Sequence, residues 1–273
     1  MIVDPHLHVW QPMPQYPDQA ATTLAPASAV LMQLFYQYMD EHGVDRAVLV
    51  QPVYPGEDNS YVADCATADP DRIAAVCVVD PRKQGAEDRL EYWVKERGCK
   101  GLRLRPRVPE EEASFGDPST FPLWERAQSL GIAINVLGNC EHLKTVAQIA
   151  ERFSDMDILI DHMAHPEPRD GVDAPLFEDL LALAKYPRVH VKVSGQPYYS
   201  HSPYPYDDCV ELVKRVYDEF GPQRMIWGSD FPHVLLQSGY RRARHLVERA
   251  FSFITEDERA LVMGENAGKI YWR

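Results

Sequence analysis

Two histidines one residue apart, His6 and His8, are the residues near the N-terminus best suited to chemistry. They follow the β-branched pair Ile2-Val3, which favours a strand. Because side chains alternate faces along a strand, we expect Asp4, His6 and His8 to point the same way. Two imidazoles on one face can converge on one metal ion or one substrate. The alternative is a surface strand, disfavoured because apolar N-terminal strands are usually buried and buried imidazoles need partners.

Strand-like and helix-like segments alternate along the rest of the chain. Short apolar, β-branched runs indicate strands, and longer segments that end at glycines such as Gly43 indicate helices, the first with Ser28 as its N-cap. The predicted later strands are 44–51, 73–79, 100–105, 132–137, 157–162, 189–194 and 225–230. The predicted helices are 28–42, 59–68, 86–97, 119–130, 141–153, 174–186, 206–220 and 240–253, with a short helix at 257–267.

This alternation of strands and helices predicts a parallel sheet. Eight strand–helix units in 273 residues favour a closed (β/α)8 TIM barrel, a single α/β domain over 1–273. The alternative is an open doubly wound sheet. That fold usually carries a glycine-rich phosphate turn after its first strand, and this sequence has none there.

Polar residues stand near the ends of most of the predicted strands. In a (β/α)8 barrel the carboxyl ends of the strands carry the chemistry, so we expect these side chains to meet in one site. The residues that we assign to substrate binding are Gln51, Tyr54, Arg103, Arg105, Asn135, His165, Lys192 and His233. His162 on strand six and Asp230 on strand eight are the predicted catalytic residues.

The segments that carry these residues resemble the amidohydrolase superfamily. The HxH of strand one, IDHMAHP with His162 and WGSDFP with Asp230 occur in that order. GLRLRP, VKVSG and GENAGKIYW narrow the resemblance to the amidohydrolase-related (amidohydrolase 2) branch, which includes sugar lactonases and the 2-pyrone-4,6-dicarboxylate lactonase. The resemblance covers essentially the whole chain. It implies a (β/α)8 barrel and hydrolysis at a carbonyl, usually that of a lactone.

Two departures from the family pattern bear on metal binding. Metal-dependent members usually place a histidine on strand five, and many binuclear members use a lysine or glutamate on strand four. Here strand five has Asn135, and strand four has Arg103 and Arg105. A binuclear site is therefore not expected.

The resemblance leaves two alternatives for a cofactor. One divalent ion, Zn²⁺ by ligand type, would be held by His6, His8 and Asp230, with His162 near. Some lactonases of this branch are similar in sequence and work without a metal, which is the other alternative.

Hydrolysis of a lactone needs a base for water, an electrophile for the carbonyl oxygen and an acid for the leaving alcohol. We predict that Asp230 is the base and returns the proton, and we expect burial to raise its pKa. His162, His6, His8 or an arginine could stabilise the oxyanion. The alternative role for Asp230 is structural, as a partner of His6 or His162.

Arg103 and Arg105 bear on the nature of the small-molecule substrate. Inward guanidinium groups bind carboxylates bidentately, so a carboxylated substrate is expected if either arginine is free. The alternative is a salt bridge within the barrel, to a residue such as Asp80. A neutral sugar lactone would instead use the hydrogen-bonding groups of strands two and five.

Loop composition adds candidates for the walls of a pocket. The segment 195–206, with four tyrosines among prolines, and the segment 10–27 both follow strands that carry site residues. The alternative for 195–206 is an ordinary rim loop or an oligomer contact. Arg107 and the acidic segment 110–112 are predicted to be solvated.

Composition excludes some classes of partner. The formal charge of -13 argues against nucleic acid, and no apolar segment is long enough to span a membrane. The N-terminus lacks a signal-peptide pattern, and five scattered cysteines without CxxC spacing predict reduced thiols in the cytoplasm. The sequence leaves the oligomeric state open, a homo-oligomer included.

The leading functional hypothesis is a hydrolase that opens a lactone of a sugar acid or of an aromatic-degradation intermediate. The second hypothesis is a metal-dependent decarboxylase of a carboxylated aromatic or related acid. A third is a binding protein that has lost catalysis, and retention of His6, His8 and Asp230 argues against it.

Overall fold

Eight parallel strands pair in chain order into one sheet. The computed structural model describes residues 1–11, 29–53 and 56–273. The chain after the last strand meets the first, where the Asp230 amide donates to the carbonyl of His6 at 2.9 Å. The strands are β1 (Val3–Leu7), β2 (Arg46–Val50), β3 (Ile73–Val78), β4 (Gly101–Leu104), β5 (Ala133–Val136), β6 (Ile158–Ile160), β7 (Val189–Lys192) and β8 (Met225–Ile226). The predicted (β/α)8 barrel is confirmed.

Helices separate the strands along the chain and cover the outside of the barrel. Gly43 ends the first described helix in a left-handed conformation (φ 63°), as predicted. The prediction that Ser28 caps this helix is wrong, because the helix begins at Met32 and Leu31 is its N-cap residue; Ser28 itself lies outside the described residues. The described α-helices are Met32–His42, Ser60–Ala68, Ala86–Glu91, Pro109–Glu112, Phe121–Leu130, Leu143–Arg152, Pro175–Leu181, Gln196–Tyr199, Val210–Phe220, Tyr240–Arg244, Leu246–Ala250, Glu256–Ala260 and Asn266–Tyr271. Two π-helical turns occupy Tyr92–Glu96 and Leu261–Glu265.

An irregularity in β1 sets the direction of the two histidines. Asp4 pairs with Ala47 and Leu7 with Leu49, so β1 contains one residue more than β2 over this stretch. His6 therefore points into the barrel, whereas the carboxylate of Asp4 accepts hydrogen bonds from the Tyr240 hydroxyl and the Ser229 amide, each at 3.0 Å. The prediction that Asp4 shares a face with the histidines is wrong.

Strands β6 and β8 end earlier than the sequence predicts. His162 has a φ of 55° and Asp230 a φ of 56°, so both lie in turns and not on strands. Ile158 and Ile160 pack in the outer core and Leu159 in the barrel interior. Continued alternation would therefore send His162 outwards, and the left-handed turn brings it back to the barrel mouth.

The C-terminal helix closes the N-terminal end of the barrel. Ile270 and Tyr271 pack in one buried cluster with Val3 and Ala133, which begin or lie close to the start of their strands. The Tyr271 hydroxyl donates to Asn135 Oδ1 at 2.8 Å. Asn135 thus lies deep in the barrel, between this plug and the open end.

The cysteines and the helices bear on two further sequence predictions, reduced thiols and the lack of a membrane-spanning segment. All five cysteines are free. Within the described residues, every helix is too short or too polar to cross a bilayer.

A buried carboxylate joins three basic residues at the closed end of the barrel. Asp157 Oδ2 lies 2.8 Å from Arg188 Nη2, Oδ1 lies 3.2 Å from His190 Nε2, and Arg273 also pairs with Asp157. Burial by itself would raise the pKa of Asp157, but His190, Arg273 and Arg188 hold that pKa below its ordinary value. A carboxyl whose pKa is lowered by folding stabilises the protein above the unfolded pKa and loses this contribution as pH falls through the folded pKa.

We therefore predict that Asp157→Asn lowers the free energy of unfolding by about 1–3 kcal/mol at pH 7. The difference from the wild type should shrink as pH falls below about 4. Chemical denaturation at several pH values measures both, with the exposed Asp155→Asn as the control. A destabilisation that is the same at pH 3 and pH 7 would contradict this account.

Candidate active site

Three histidines and one carboxylate converge at the open end of the barrel. Asp230 Oδ1 lies 3.1 Å from His8 Nε2 and 3.6 Å from His6 Nε2. The ring centroids of His6 and His162 are 4.6 Å apart. All four side chains are buried, as expected for groups that act on a molecule held away from bulk water.

A second carboxylate, Asp161, lies directly beside this group. Its Oδ2 lies 3.0 Å from Arg103 Nε, and its Oδ1 lies 2.9 Å from Lys192 Nζ and 3.4 Å from His6 Nδ1. Burial would raise the pKa of Asp161, but Lys192, His6 and Arg103 together hold it well below its ordinary value. Asp161 is therefore an ionised partner that ties β1, β4 and β7 together.

The sequence interpretation missed Asp161, although a signal for it exists. Leu159 of β6 faces the barrel interior, and a period of two places residue 161 on the same side. The catalytic role on strand six was assigned to His162 because histidine is a common catalytic residue type. The neighbouring aspartate is the one that alternation places inside.

The charges beside His6 affect its protonation. Lys192 Nζ lies 3.0 Å from His6 Nδ1, and Arg103 Nη2 lies 3.5 Å from His6 Nε2. Burial and the Lys192 charge lower the pKa of His6 to about 3, against the opposing effect of Asp161. His6 is therefore neutral at physiological pH.

The other two histidines are oriented by hydrogen bonds of Nδ1. His8 Nδ1 lies 2.7 Å from the carbonyl of Val50, which only accepts, so His8 Nδ1 carries a proton and Nε2 faces the site. His162 Nδ1 lies 2.9 Å from Ser194 Oγ. Burial, with His6 nearby, lowers the pKa of His162 well below its ordinary value.

The ionisation of Asp230 differs from the expectation. Burial by itself would raise the pKa of Asp230, but the contact with His8, whose Nε2 lies 3.1 Å from Oδ1, and the nearby His162 and His233 hold that pKa well below its ordinary value. The expected rise in the pKa is therefore wrong. Asp230 is a carboxylate at neutral pH, which is the form that a base requires.

The two strand-four arginines both have carboxylate partners. Arg103 pairs with Asp161, and Arg105 pairs with Glu111, with its Nε 3.2 Å from Glu111 Oε2. The predicted partner Asp80 instead binds Arg82 at 2.7 Å. Glu111 is 6% exposed, on the short helix Pro109–Glu112, so the prediction of a solvated loop is wrong for this residue.

Two other predicted substrate-binding histidines lie at the edge of the group. The His165 ring is 5.3 Å from that of His162, and the His233 ring is 5.6 Å from that of His8. Arg107 Nη1 lies 2.7 Å from His165 Nε2, and burial together with Arg107 lowers the pKa of His165 to about 4. Both histidines are near enough to contact a bound molecule.

The remaining predicted residues lie beneath the site or outside the described part. Lys192 Nζ donates to Asn135 Oδ1 at 2.7 Å, so both side chains form a layer under the histidines. Gln51 Nε2 donates to the carbonyl of Asp58 at 2.8 Å and holds the loop after β2. Tyr54 lies outside the described residues, as do residues 12–27 of the predicted pocket wall 10–27.

A cavity of about 480 Å³ opens next to this group. Residues that line it include Arg107, Asn139, His165, Tyr198 and His201. Arg107 is exposed, as predicted, but it forms part of the cavity wall. Within the described part of the chain, no carboxylate forms a salt bridge with Arg107, so its charge is available to a ligand.

Two glycines of the sequence motifs allow this packing. A Cβ at Gly228 of WGSDFP would lie 2.8 Å from His6 Cβ. A Cβ at Gly195 of VKVSG would lie 2.7 Å from His162 Cγ, and Gly195 also has a φ of 78°. Neither position has room for a side chain.

A cluster of possible metal ligands lies within the site. One ligand atom from each of His6, His162 and Asp230 lies within 4.8 Å of the others, so His162 joins two of the three predicted ligands. Asp230 Oδ1 is buried and makes no hydrogen bond to the described residues. A carboxylate oxygen that makes no hydrogen bond and lies among imidazole nitrogens is a donor set that fits one divalent cation.

Comparison with known proteins establishes the family. The amidohydrolase family model matches residues 3–273, so the chain belongs to the amidohydrolase family. The resemblance in the sequence motifs is confirmed, and the protein is a hydrolase of that family.

Curated relatives and solved structures match along nearly the whole chain. The 4-sulfomuconolactone hydrolase of Hydrogenophaga intermedia is 28% identical, over 98% of this chain and 88% of that protein. The L-fucono-1,5-lactonase of Burkholderia ambifaria is 28% identical, over 98% of this chain and 94% of that protein. The structure of an amidohydrolase from Burkholderia multivorans with bound zinc superposes with a TM-score of 0.85 at 23% identity, over 100% and 99% of the two chains.

We predict that Gly195→Ala lowers kcat/KM by at least about 100-fold, because the new methyl group displaces the His162 ring. Gly131→Ala is the matched control, since Gly131 has a φ of 67° and no atom within 4 Å of the added Cβ. Both variants should lose about 1–2 kcal/mol of stability from the left-handed backbone. Equal activity in the two variants would show that the contact with His162 does not matter.

Proposed function

We propose that this protein opens a lactone by hydrolysis, with Asp230 as general base and then general acid. The observation that carries the proposal is the buried carboxylate of Asp230, whose Oδ1 faces His6 and His8 and makes no hydrogen bond to a described residue. The names of the two relatives, a sulfomuconolactone hydrolase and a fuconolactonase, support the reaction class.

The proposed reaction has two steps that balance in atoms. Asp230 Oδ1 takes a proton from water as the water oxygen bonds to the lactone carbonyl carbon. The bond from that carbon to the ring oxygen then breaks, and Asp230 returns the proton to the leaving oxygen to give a hydroxy acid. Arg103, whose Nη2 lies 3.5 Å from His6 Nε2, and the neutral His162 supply donors for the oxyanion.

We propose His6, His162 and Asp230, with His8 beside them, as the residues that would hold a divalent ion, zinc by donor type. When bound, such an ion would polarise the carbonyl and lower the pKa of water. The alternative is that Arg103 and Lys192 provide the positive charge.

Elemental analysis of purified protein, followed by assay after chelation, separates these alternatives. About one zinc ion per chain and loss of activity on chelation would support the metal. Full activity of metal-free protein would support the alternative in which Arg103 and Lys192 provide the positive charge.

We also propose roles for the surrounding residues and for the substrate. Arg107 binds an anionic group of the substrate, a carboxylate or a sulfonate, because Arg103 and Arg105 already have carboxylate partners. Other proposed substrate-binding residues are Gln51, Tyr54, Arg105, Asn135, His165, Lys192 and His233. The five free cysteines support a location in the cytoplasm, and the one eight-stranded sheet supports a single-domain enzyme over 1–273.

We predict that Asp230→Asn lowers kcat by about 10²–10⁴-fold and leaves binding of a product acid within a few-fold, because the amide cannot accept the proton. A screen of sugar-acid lactones and pyrone dicarboxylates, followed by proton release, identifies the substrate, and the exposed Asp207→Asn is the control. If no lactone is hydrolysed and CO₂ is released from a carboxylated aromatic, the decarboxylase hypothesis would replace the lactonase hypothesis. Binding of these compounds without turnover of any of them would leave only the hypothesis of a binding protein.

We predict that Arg107→Gln raises KM for carboxylated or sulfonated lactones by about 10-fold or more and changes KM for neutral sugar lactones less than twofold. Arg169→Gln, an exposed arginine of a later loop, is the control. If neutral lactones are the better substrates and Arg107→Gln leaves their KM unchanged, the anionic-substrate proposal is wrong.

A further inference from the structure

Tyr198 connects the cavity to the carboxylate of Asp230. It lies on the short helix Gln196–Tyr199 after β7, and its hydroxyl donates to Asp230 Oδ2. Its ring centroid lies 6.0 Å from that of His162 and 6.4 Å from that of His165. The side chain also lines the 480 Å³ cavity and is 41% exposed, so one face meets solvent while the hydroxyl reaches the buried site.

The two oxygens of the Asp230 carboxylate have different surroundings. Oδ1 is buried near His6 and His8 and makes no hydrogen bond to a described residue, whereas Oδ2 accepts from Tyr198. A hydroxyl donor on one oxygen restrains the rotation of the carboxylate and lowers the basicity of that oxygen. The atom left to exchange a proton with water is therefore Oδ1.

The backbone around Tyr198 is fixed by packing against the site. Gly195 begins the segment in contact with the His162 ring, where a Cβ would lie 2.7 Å from Cγ. The neighbouring Tyr199 is buried, and its hydroxyl donates to the carbonyl of Ser194 at 3.2 Å. These contacts anchor both ends of the short helix, so that Tyr198 is held against Asp230.

We propose that Tyr198 is a positioning residue of the reaction: its hydroxyl holds Asp230 Oδ2, so that Oδ1 takes and returns the proton. This inference rests on the proposed role of Asp230 as the base. Tyr198 forms no bond to the substrate in this role. It sets which carboxylate oxygen faces the reacting water.

The kinetic test compares Tyr198→Phe with the wild type on a lactone that the wild type hydrolyses. We expect kcat to fall about 10- to 100-fold, because the variant loses one hydrogen bond to a charged group. We expect KM to change less than threefold, because Tyr198 does not bind the substrate in this role. Replacement of Tyr198 by 3-fluorotyrosine, which keeps the donor, should leave kcat within threefold. Tyr204→Phe, in the same segment, is the control and should match the wild type.

A double variant separates this inference from the proposed function. Tyr198→Phe added to Asp230→Asn should cause no further loss, because the tyrosine acts through the carboxylate. If Asp230→Asn is inactive while Tyr198→Phe keeps the wild-type kcat, the role of Tyr198 is wrong and the function stands.

A crystal structure of Tyr198→Phe gives a test that does not depend on the substrate. We expect the Asp230 carboxylate to rotate or to occupy two orientations when the hydroxyl is removed. An unchanged carboxylate would overturn the inference, even if the wild type proves to hydrolyse no lactone. Rotation would support it in either case.

Discussion

The rest of the site depends on the ion pairs and contacts that the buried carboxylate of Asp161 makes with its neighbours. It contacts Arg103 of β4, Lys192 of β7 and His6 of β1, at 3.0, 2.9 and 3.4 Å. Charges removed from water are costly unless each has a partner, so loss of Asp161 would leave two buried cations without their shared carboxylate. The interior of the barrel is therefore charged at this level and not apolar, and the partners fix the position of His6.

The two carboxylates of the site have different tasks because their surroundings differ. Asp161 has a buried cation beside each oxygen, Arg103 Nε at 3.0 Å from Oδ2 and Lys192 Nζ at 2.9 Å from Oδ1. Asp230 has one oxygen held by Tyr198, and its other oxygen faces the imidazoles of His6 and His8 and has no cationic lysine or arginine partner among the described residues. Two groups of the same type thus serve as a structural anchor and as the proposed base, a division that environment alone can set.

Sequence patterns were sufficient for the barrel and for four side chains that meet at its mouth, but they missed Asp161 and did not predict how these side chains pair. Alternation of strands and helices predicts the fold, and residue type identifies His6, His8 and Asp230. The extra residue in β1, which separates Asp4 from the histidines, depends on pairing with β2 and leaves no mark in the sequence of β1.

Other differences arise from contacts between residues far apart in the chain. His162 enters the site through a left-handed turn that strand periodicity does not predict. The low pKa of Asp230 depends on a partner more than 200 residues away, His8. Asp161 could have been found, because alternation from Leu159 places it inside the barrel.

A double-mutant cycle on Asp161 and Lys192 tests most directly whether the buried charge cluster organises the site. We expect Asp161→Asn and Lys192→Met each to lower the free energy of unfolding by about 3–5 kcal/mol. Asp161→Asn leaves Arg103 and Lys192 without their shared carboxylate, and Lys192→Met removes the cation next to Asp161 Oδ1. The double variant should lose at least about 1 kcal/mol less than the sum of the two. Strictly additive losses, or an Asp161→Asn variant as stable as the wild type, would contradict the account.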